Sequence, residues 1–406
     1  MSDKLKMPTL RFKEFSGDWE EKELKETSKI NPKTKELPNK FIYIDLESVE
    51  KGLLVKSNEI MKDEAPSRAQ RVLSVNDILF QTVRPYQKNN YFFKLDGDYV
   101  ASTGYAQISA NESSEFLYQK LHTDDFVNKV LLRCTGTSYP AINSTDLSKI
   151  KIYIPQKQEQ EKIASFLSSI DKKIEQLSKK DELLHSYKKG AMQKIFSQEI
   201  RFSPKGTSSQ AQGEKDGSDY PDWEEKSLSD VSEIVGGGTP DTTKDEYWNG
   251  DIQWFTPTEI KSDNVSTSKR TISLLGLKKS SAKILPKGTI LLTTRATIGE
   301  VSIALKECTT NQGFQSLVVN DSNNSIFIFN WIKRNKYKFI SRANGSTFPE
   351  ISKKEIEKIK IKLPCLKEQT KIANFLFSID TKISQNRKAL EETKKFKKAL
   401  LQQMFV

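Results

Sequence analysis

Apolar residues recur on alternating steps of four and three in two long stretches of the chain. In residues 159–196 the series is Ile163, Leu167, Ile170, Ile174, Leu177, Leu184, Ala191 and Ile195, with Asp181 and Lys188 at its two polar places. Near the other end it is Ile372, Leu376, Ile379, Ile383, Leu390, Leu400 and Met404, with Asn386, Thr393 and Lys397 as polar members. This is a heptad seam, and it predicts two helices, each of about 38 residues or roughly 55 Å. A single amphipathic helix of that length needs a partner to bury its stripe, and each stretch is the nearest partner for the other. The polar seam residues either fix register or mark where the helices splay. Elsewhere the pattern changes to short β-like runs between turn signals. Such runs are Phe41–Ile44, Asp77–Phe80, Ile290–Leu292 and Ser316–Val319. Gly236–Pro240 and Asn249-Gly250-Asp251 read as turns, and helical stretches are predicted near 124–132 and 326–337.

The two helical stretches are copies of one another. Pro155, Glu159, Gln160, Lys162, Ile163, Ala164, Phe166, Leu167, Ser169, Ile170, Asp171, Lys173 and Ile174 recur as identical residues 209 positions later. The same offset carries Gly104-Tyr105 onto Gly313-Phe314 and Tyr139-Pro140 onto Phe348-Pro349. Ile78-Leu79 and Arg84 find counterparts in Ile290-Leu291 and Arg295. Leu10-Arg11-Phe12 resembles Ile200-Arg201-Phe202, and Trp19-Glu20-Glu21-Lys22 returns at Trp223. The predicted layout is a mixed α/β unit over 1–154, a helix over 155–200, a linker over 201–218, a second unit over 219–363 and a second helix over 364–406. The class is α+β, with a pseudo-two-fold internal repeat and the two helices forming an antiparallel coiled coil.

A chain of 406 residues, 36% hydrophobic and 29% charged, suits two or three domains with part of the length in elongated, solvated structure. Its apolar runs are too short for a membrane span, and Met1–Leu10 lacks a signal-like core. Cys134, Cys308 and Cys365 have no metal or disulfide spacing and read as free thiols of a reducing cytosol. With only His122 and His185, a histidine-based metal centre or general base is disfavoured. The net charge of +12 points to a polyanionic partner, yet the two helical stretches hold seven of those twelve charges. Lysine runs on a helix usually mean a solvated face.

Candidate chemistry lies in loops that combine cations, aromatics and small polar residues. In the first unit these are Thr82, Arg84, Tyr86, Gln87, Lys88 and Asn89, with Thr103 and Tyr139. In the second they are Thr239, Thr294, Arg295, Thr297, Gln312 and Thr347. Such side chains read base edges and hold phosphates. Taken alone, each loop is better read as a turn with local hydrogen bonds, and Arg84 and Arg295 read equally as structural arginines inside each unit. Their matching places in two repeats favour a binding face. The sequence has no phosphate-binding glycine loop, no HExxH and no paired cysteines, and Asn31-Pro32-Lys33 lacks the Pro and aromatic that amino-methyltransferases place after Asn-Pro. Gly236–Gly238 is a loop, not a dinucleotide cradle.

The ordered set of marks resembles the specificity subunits of type I restriction–modification systems over nearly the whole chain. The marks are Leu10-Arg11-Phe12, Trp19–Lys22, Gly236–Pro240 with Tyr247–Gly250, Thr294–Gly299, Asn311–Phe314 and the doubled Pro-x-x-x-Glu-Gln-x-Lys-Ile-Ala segment. The resemblance implies two target-recognition domains, each reading half of a split, asymmetric double-stranded DNA site, with the helices setting the gap. It implies a non-catalytic, cytoplasmic chain with no cofactor of its own. Two methyltransferase subunits and two restriction/translocase subunits would bring S-adenosylmethionine, ATP and Mg2+ chemistry. A coiled-coil scaffold with two protein-binding domains is the competing expectation.

Overall fold

The computed structural model describes residues 7–33, 36–203, 208–210, 220–345 and 349–406. By packing, the chain divides into two units, Met1–Lys180 with Asn386–Val406 and Asp181–Gln385. The heptad stretches are continuous helices, Lys157–Phe196 and Leu366–Gln403. Gly190 does not interrupt the first.

In the first unit, an antiparallel sheet runs in the order Ser28–Ile30, Tyr105–Ala110, Ile78–Gln81, Tyr91–Phe92. A second sheet has the order Asn58–Met61, Lys40–Ile44, Tyr99–Ser102, Ala69–Val72, with a parallel pair at its centre. Ile78 to Gln81 are buried throughout, as a central strand covered on both faces requires. Helices Ser114–Leu121 and Asp124–Leu131 start at Ser113 and Thr123, whose hydroxyls accept from Phe116 N–H and Phe126 N–H. They put Phe116, Phe126 and Val130 into a core with Trp19, Phe80 and Ile108.

That core is completed by both long helices. Ile163, Leu167, Ile170, Leu400, Met404 and Phe405 are buried in it, and Ile174 is partly buried against it. The helical pieces run antiparallel inside this unit: the Lys397 ammonium meets Asp171 at 2.6 Å, and the Asn386 amide donates to the Leu177 carbonyl at 2.9 Å. Asn386 lies 209 positions after Leu177, so one helix touches the other at its own counterpart. Leu177 is buried and Leu390 half-buried.

The second unit has a five-stranded sheet in the order Ser232–Gly236, Gln315–Val319, Ile290–Leu292, Val301–Ala304, Asn264–Val265. Its three-stranded sheet joins Arg270–Ile272, Trp248–Phe255 and Thr309–Thr310. Helix Ser325–Arg334 buries Phe327, Ile328 and Ile332 against Ile372, Leu376, Ile379 and Ile383 of the second long helix and Met192 and Ile195 of the first. Here too the helical pieces are antiparallel, with Lys188 bonded to Asp380 at 2.6 Å. Lys188–Asp380 and Lys397–Asp171 are the same pair 209 positions apart with the copies exchanged. The polar seam residues Lys188, Lys397 and Asn386 are therefore partnered across the helices.

Each unit opens with an arm clasped to a long helix. Arg11 makes a bidentate pair with Glu159 at 2.8 and 2.7 Å, and Arg201 makes one with Glu368 at 3.3 and 2.8 Å. Phe12 packs edge-on to Phe166, and Phe202 packs on Phe375. At the start of the predicted linker 201–218, Ile200–Phe202 pairs antiparallel with Ser208–Gln210, and most of that linker lies outside the described residues.

One turn expectation is corrected. Asn249-Gly250 lies inside the strand Trp248–Phe255 as a register-shifting bulge, not between strands. Asn249 takes the left-handed region at φ 60°, and a Cβ on Gly250 would stand 2.5 Å from Ser273 Cα. As a result both Trp248 and Ile252 face Ile272 on the neighbouring strand.

Candidate nucleic-acid interface

In the first unit the strand Ile78–Gln81 ends at Thr82, which ties three predicted loops together. Its backbone N–H and hydroxyl both donate to the Gly104 carbonyl, at 3.1 and 2.8 Å, and its carbonyl accepts from Ile142 N–H at 3.0 Å. Arg84 N–H donates to the Pro140 carbonyl at 2.7 Å. The stretches around 82–90, 102–105 and 137–142 thus share one surface. Thr103 N–H donates to the Arg68 carbonyl at 2.9 Å.

Arg84 holds a left-handed backbone, φ 55°, and its guanidinium lies 4.2 Å over the ring of Tyr139, which is 63% exposed. Stacking fixes the plane of the fork. Among the described residues nothing else engages that guanidinium. Tyr86 is half exposed beside it, and Gln87 accepts from the Gln81 amide at 2.9 Å. Lys88 and Asn89 hold the loop in place. The Lys88 ammonium bonds the His122 carbonyl at 2.8 Å and the Asp124 carboxylate, whose pKa it lowers by hydrogen bonding. The Asn89 amide donates to the Val49 carbonyl.

The second unit repeats the arrangement. Thr294 N–H donates to the Gly313 carbonyl at 2.8 Å, and its carbonyl accepts from Ile351 N–H at 3.2 Å. Thr294 therefore stands where Thr82 stands, and the partner of Arg84 is Ala296, also left-handed at φ 57°. Arg295 sits one step earlier than the sequence pairing suggested. It is exposed and bonded to Glu350 at 2.9 Å. Thr294 is buried, whereas Thr297 is exposed and its carbonyl accepts from the Thr293 hydroxyl at 2.5 Å. Thr239 donates to the exposed Gln312 side chain at 2.5 Å, which joins the glycine loop to Asn311–Phe314. Any Cβ on Gly237 or Gly238 would collide with backbone, at Asn311 and Ser281-Ala282 respectively, so this loop needs glycine for close packing. Thr347 lies outside the described residues.

Sequence reasoning missed a cluster beside this loop. Trp248 and Trp254 meet edge-to-face at 5.0 Å, and their indole N–H groups donate to the Asp241 carbonyl at 3.1 Å and the Gly238 carbonyl at 2.8 Å. The exposed Arg270 lies 3.5 Å over the ring of Trp248. The signal was the two tryptophans six positions apart, but the bulge that turns them together is invisible in a period-two pattern. Among the described residues no cluster of His, Cys, Asp and Glu fits a metal ion, and no helix is long and apolar enough to cross a membrane.

The chain is 37% identical to the type I restriction enzyme MjaIX specificity subunit of Methanocaldococcus jannaschii, over 46% of this chain and 44% of that one. It is 22% identical to the HindI specificity subunit of Haemophilus influenzae, over 81% and 82% of the two chains. The chain spans about half the length of the first curated relatives it matches. The fold is similar to that of the type I restriction-modification system S subunit from M. genitalium, with a TM-score of 0.62, 16% identity and coverage of 98% and 99%. A family model, the type I restriction modification DNA specificity domain, matches twice, over residues 16–185 and 220–394. Each match takes in one set of converging loops and a long helical stretch, and the chain belongs to this family.

Proposed function

We propose that this chain is the sequence-reading subunit of a type I restriction–modification complex. Each unit reads one half of a bipartite, asymmetric DNA site, and partner subunits carry out adenine methylation and restriction. The observation that carries this reading is the repeated convergence of three polar loops at Thr82 and Thr294, within a chain matched twice by the specificity-domain model. A doubled reader joined by long helices suits a split site, because the protein can then set the distance between half-sites. The antiparallel contacts within each unit, Lys397–Asp171 and Lys188–Asp380, support a pseudo-two-fold coiled coil as the spacer. The chain's own part is recognition. Two methyltransferase and two nuclease-translocase subunits would bring S-adenosylmethionine, ATP and Mg2+, as the family resemblance implies.

The test is methylation mapping of DNA from a host that expresses this chain with its modification subunits. The expected outcome is a split motif, and one heptad added to both long helices widens its gap by about 3 base pairs, at ~1.5 Å per residue and ~3.4 Å per pair. An unchanged gap overturns the spacer role. A protein scaffold predicts no motif and no salt-sensitive duplex binding.

A further inference from the structure

Resting on that reading, we infer that Arg270, mounted on the Trp248–Trp254 platform, is a bidentate DNA contact of the second unit. It takes the part that the loop sequence assigns to Arg295. The platform is built locally. Left-handed Asn249 and close-packed Gly250 bulge the strand Trp248–Phe255, which brings two indoles together that a regular strand would hold far apart. Arg270 stands directly opposite Trp254 on the neighbouring strand. Its backbone is pinned: the Gln253 side chain accepts from Ser268 N–H at 2.6 Å, and the Ser268 hydroxyl donates to the Arg270 carbonyl at 2.6 Å. Its guanidinium is held 3.5 Å above Trp248 and 5.9 Å from Trp254. A stacked guanidinium loses little freedom on binding, because its plane is already set.

Among the described residues this arginine's charge is unanswered, unlike that of the clasp and loop arginines. Arg11, Arg201 and Arg295 each meet a carboxylate, Glu159, Glu368 and Glu350. Among the described residues Arg270 has neither a carboxylate nor a hydrogen-bond acceptor. Glu259, the acid on the adjoining turn, spends its oxygens on the backbone N–H groups of Thr256 and Lys269. Covering an indole requires only the arginine stem; a planar fork held flat and exposed is shaped for a planar pair of acceptors. The platform is continuous with the predicted face, since Trp254 bonds Gly238, next to Thr239 and its partner Gln312. The first unit repeats the chemistry at a different place, with Arg84 stacked on Tyr139 and otherwise unengaged. Two acceptor pairs on DNA suit such a fork, the N7/O6 edge of guanine and the oxygens of a phosphate.

The test uses the full chain co-purified with its modification subunits and a duplex carrying the motif found by methylation mapping. Binding is titrated over a range of salt for wild type, Arg270→Ala, Arg270→Lys and Arg295→Ala. Arg270→Gln, which keeps a side chain over Trp248, replaces Arg270→Ala if the latter melts early. Arg270→Ala is expected to weaken binding about 10- to 100-fold. Loss of discrimination at one position of one half-site, not restored by lysine, identifies a guanine edge. Uniform weakening, with the salt slope lower by about 1 and restored by lysine, identifies a phosphate. Wild-type affinity, slope and motif in a folded Arg270→Ala variant overturn the inference. So does the expected loss appearing in Arg295→Ala alone. A wild-type complex that binds no duplex removes the DNA-reading function itself, and is distinguished by affecting every variant alike.

Discussion

At the scale of the residue, burial decides what a titratable group does. His122 sits under the first loop cluster. Its Nδ1 is 2.7 Å from the Tyr118 carbonyl, the Tyr118 ring lies at 4.4 Å, and the Asn90 amide is 3.5 Å from Nε2. Burial pushes its pKa down to about 4; Lys397 and Lys88 push the same way, and Asp171 and the Tyr118 carbonyl oppose them. The folded protein therefore keeps His122 neutral where the unfolded chain takes up a proton. Stability is complete above pH 6.5 and is lost as pH falls toward 4, by at most about 1.4 kcal/mol per pH unit and about 3 kcal/mol in all. Thermal melts between pH 7 and 5 should show the first unit losing stability, and His122→Gln should flatten that dependence. An equally steep variant would remove His122 as the cause. Residue types in the loops were legible in the sequence, but their division of labour was not. Lys88 and Asn89 look like DNA ligands in a string of letters, and folding places an acid and a carbonyl beside them. Arg270 looked ordinary because its partner is a pair of rings sixteen and twenty-two positions upstream.

At the scale of the element, the strongest local device is the arm clasp. Glu368 is 0% exposed and bonded twice to Arg201, and Glu159 is 2% exposed and bonded twice to Arg11. Removing one partner strands a buried carboxylate, which costs about 3–5 kcal/mol. Arg201→Ala should lower the urea midpoint of the second unit accordingly, while Arg201→Ala with Glu368→Leu should recover most of the loss. Equal losses in the single and double variants would mean that the arm's packing, not the charge, is responsible. The heptads and their boundaries were readable within a few residues because an apolar stripe sustained for about ten turns leaves no alternative. The pairing of Lys188 with Asp380 and Lys397 with Asp171 became legible only when the two helices lay antiparallel. The Asn249-Gly250 bulge was misread because the same dipeptide serves a hairpin turn and a strand distortion.

At the scale of the whole molecule, the repeat suggested units that follow one another along the chain. Packing instead draws the first unit from both ends of the chain and the second from its middle. Sequence order could not reveal this, because each long helix serves two cores and the seam pattern does not say where one core stops. Phe405 is 7% exposed, edge-on to Trp19 and 5.3 Å from Phe116. Phe405→Ala should therefore cost about 3–5 kcal/mol, and should do so in the first unit alone. Hydrogen exchange should show lost protection in the sheet around Ile78–Gln81, with that around Ile290–Leu292 unchanged. Uniform loss in both would contradict the division.

The same interleaving sets an order for synthesis. A ribosome delivers residues 1–180 first, but their core lacks Leu400, Met404 and Phe405 until the last helix emerges. The middle unit is contiguous and can close as soon as Gln385 is out. The first-made residues therefore cannot complete their core before the second long helix arrives. For that interval the earliest-made half holds open an apolar seat around Trp19, Phe116 and Ile163, which is the surface a chaperone would guard.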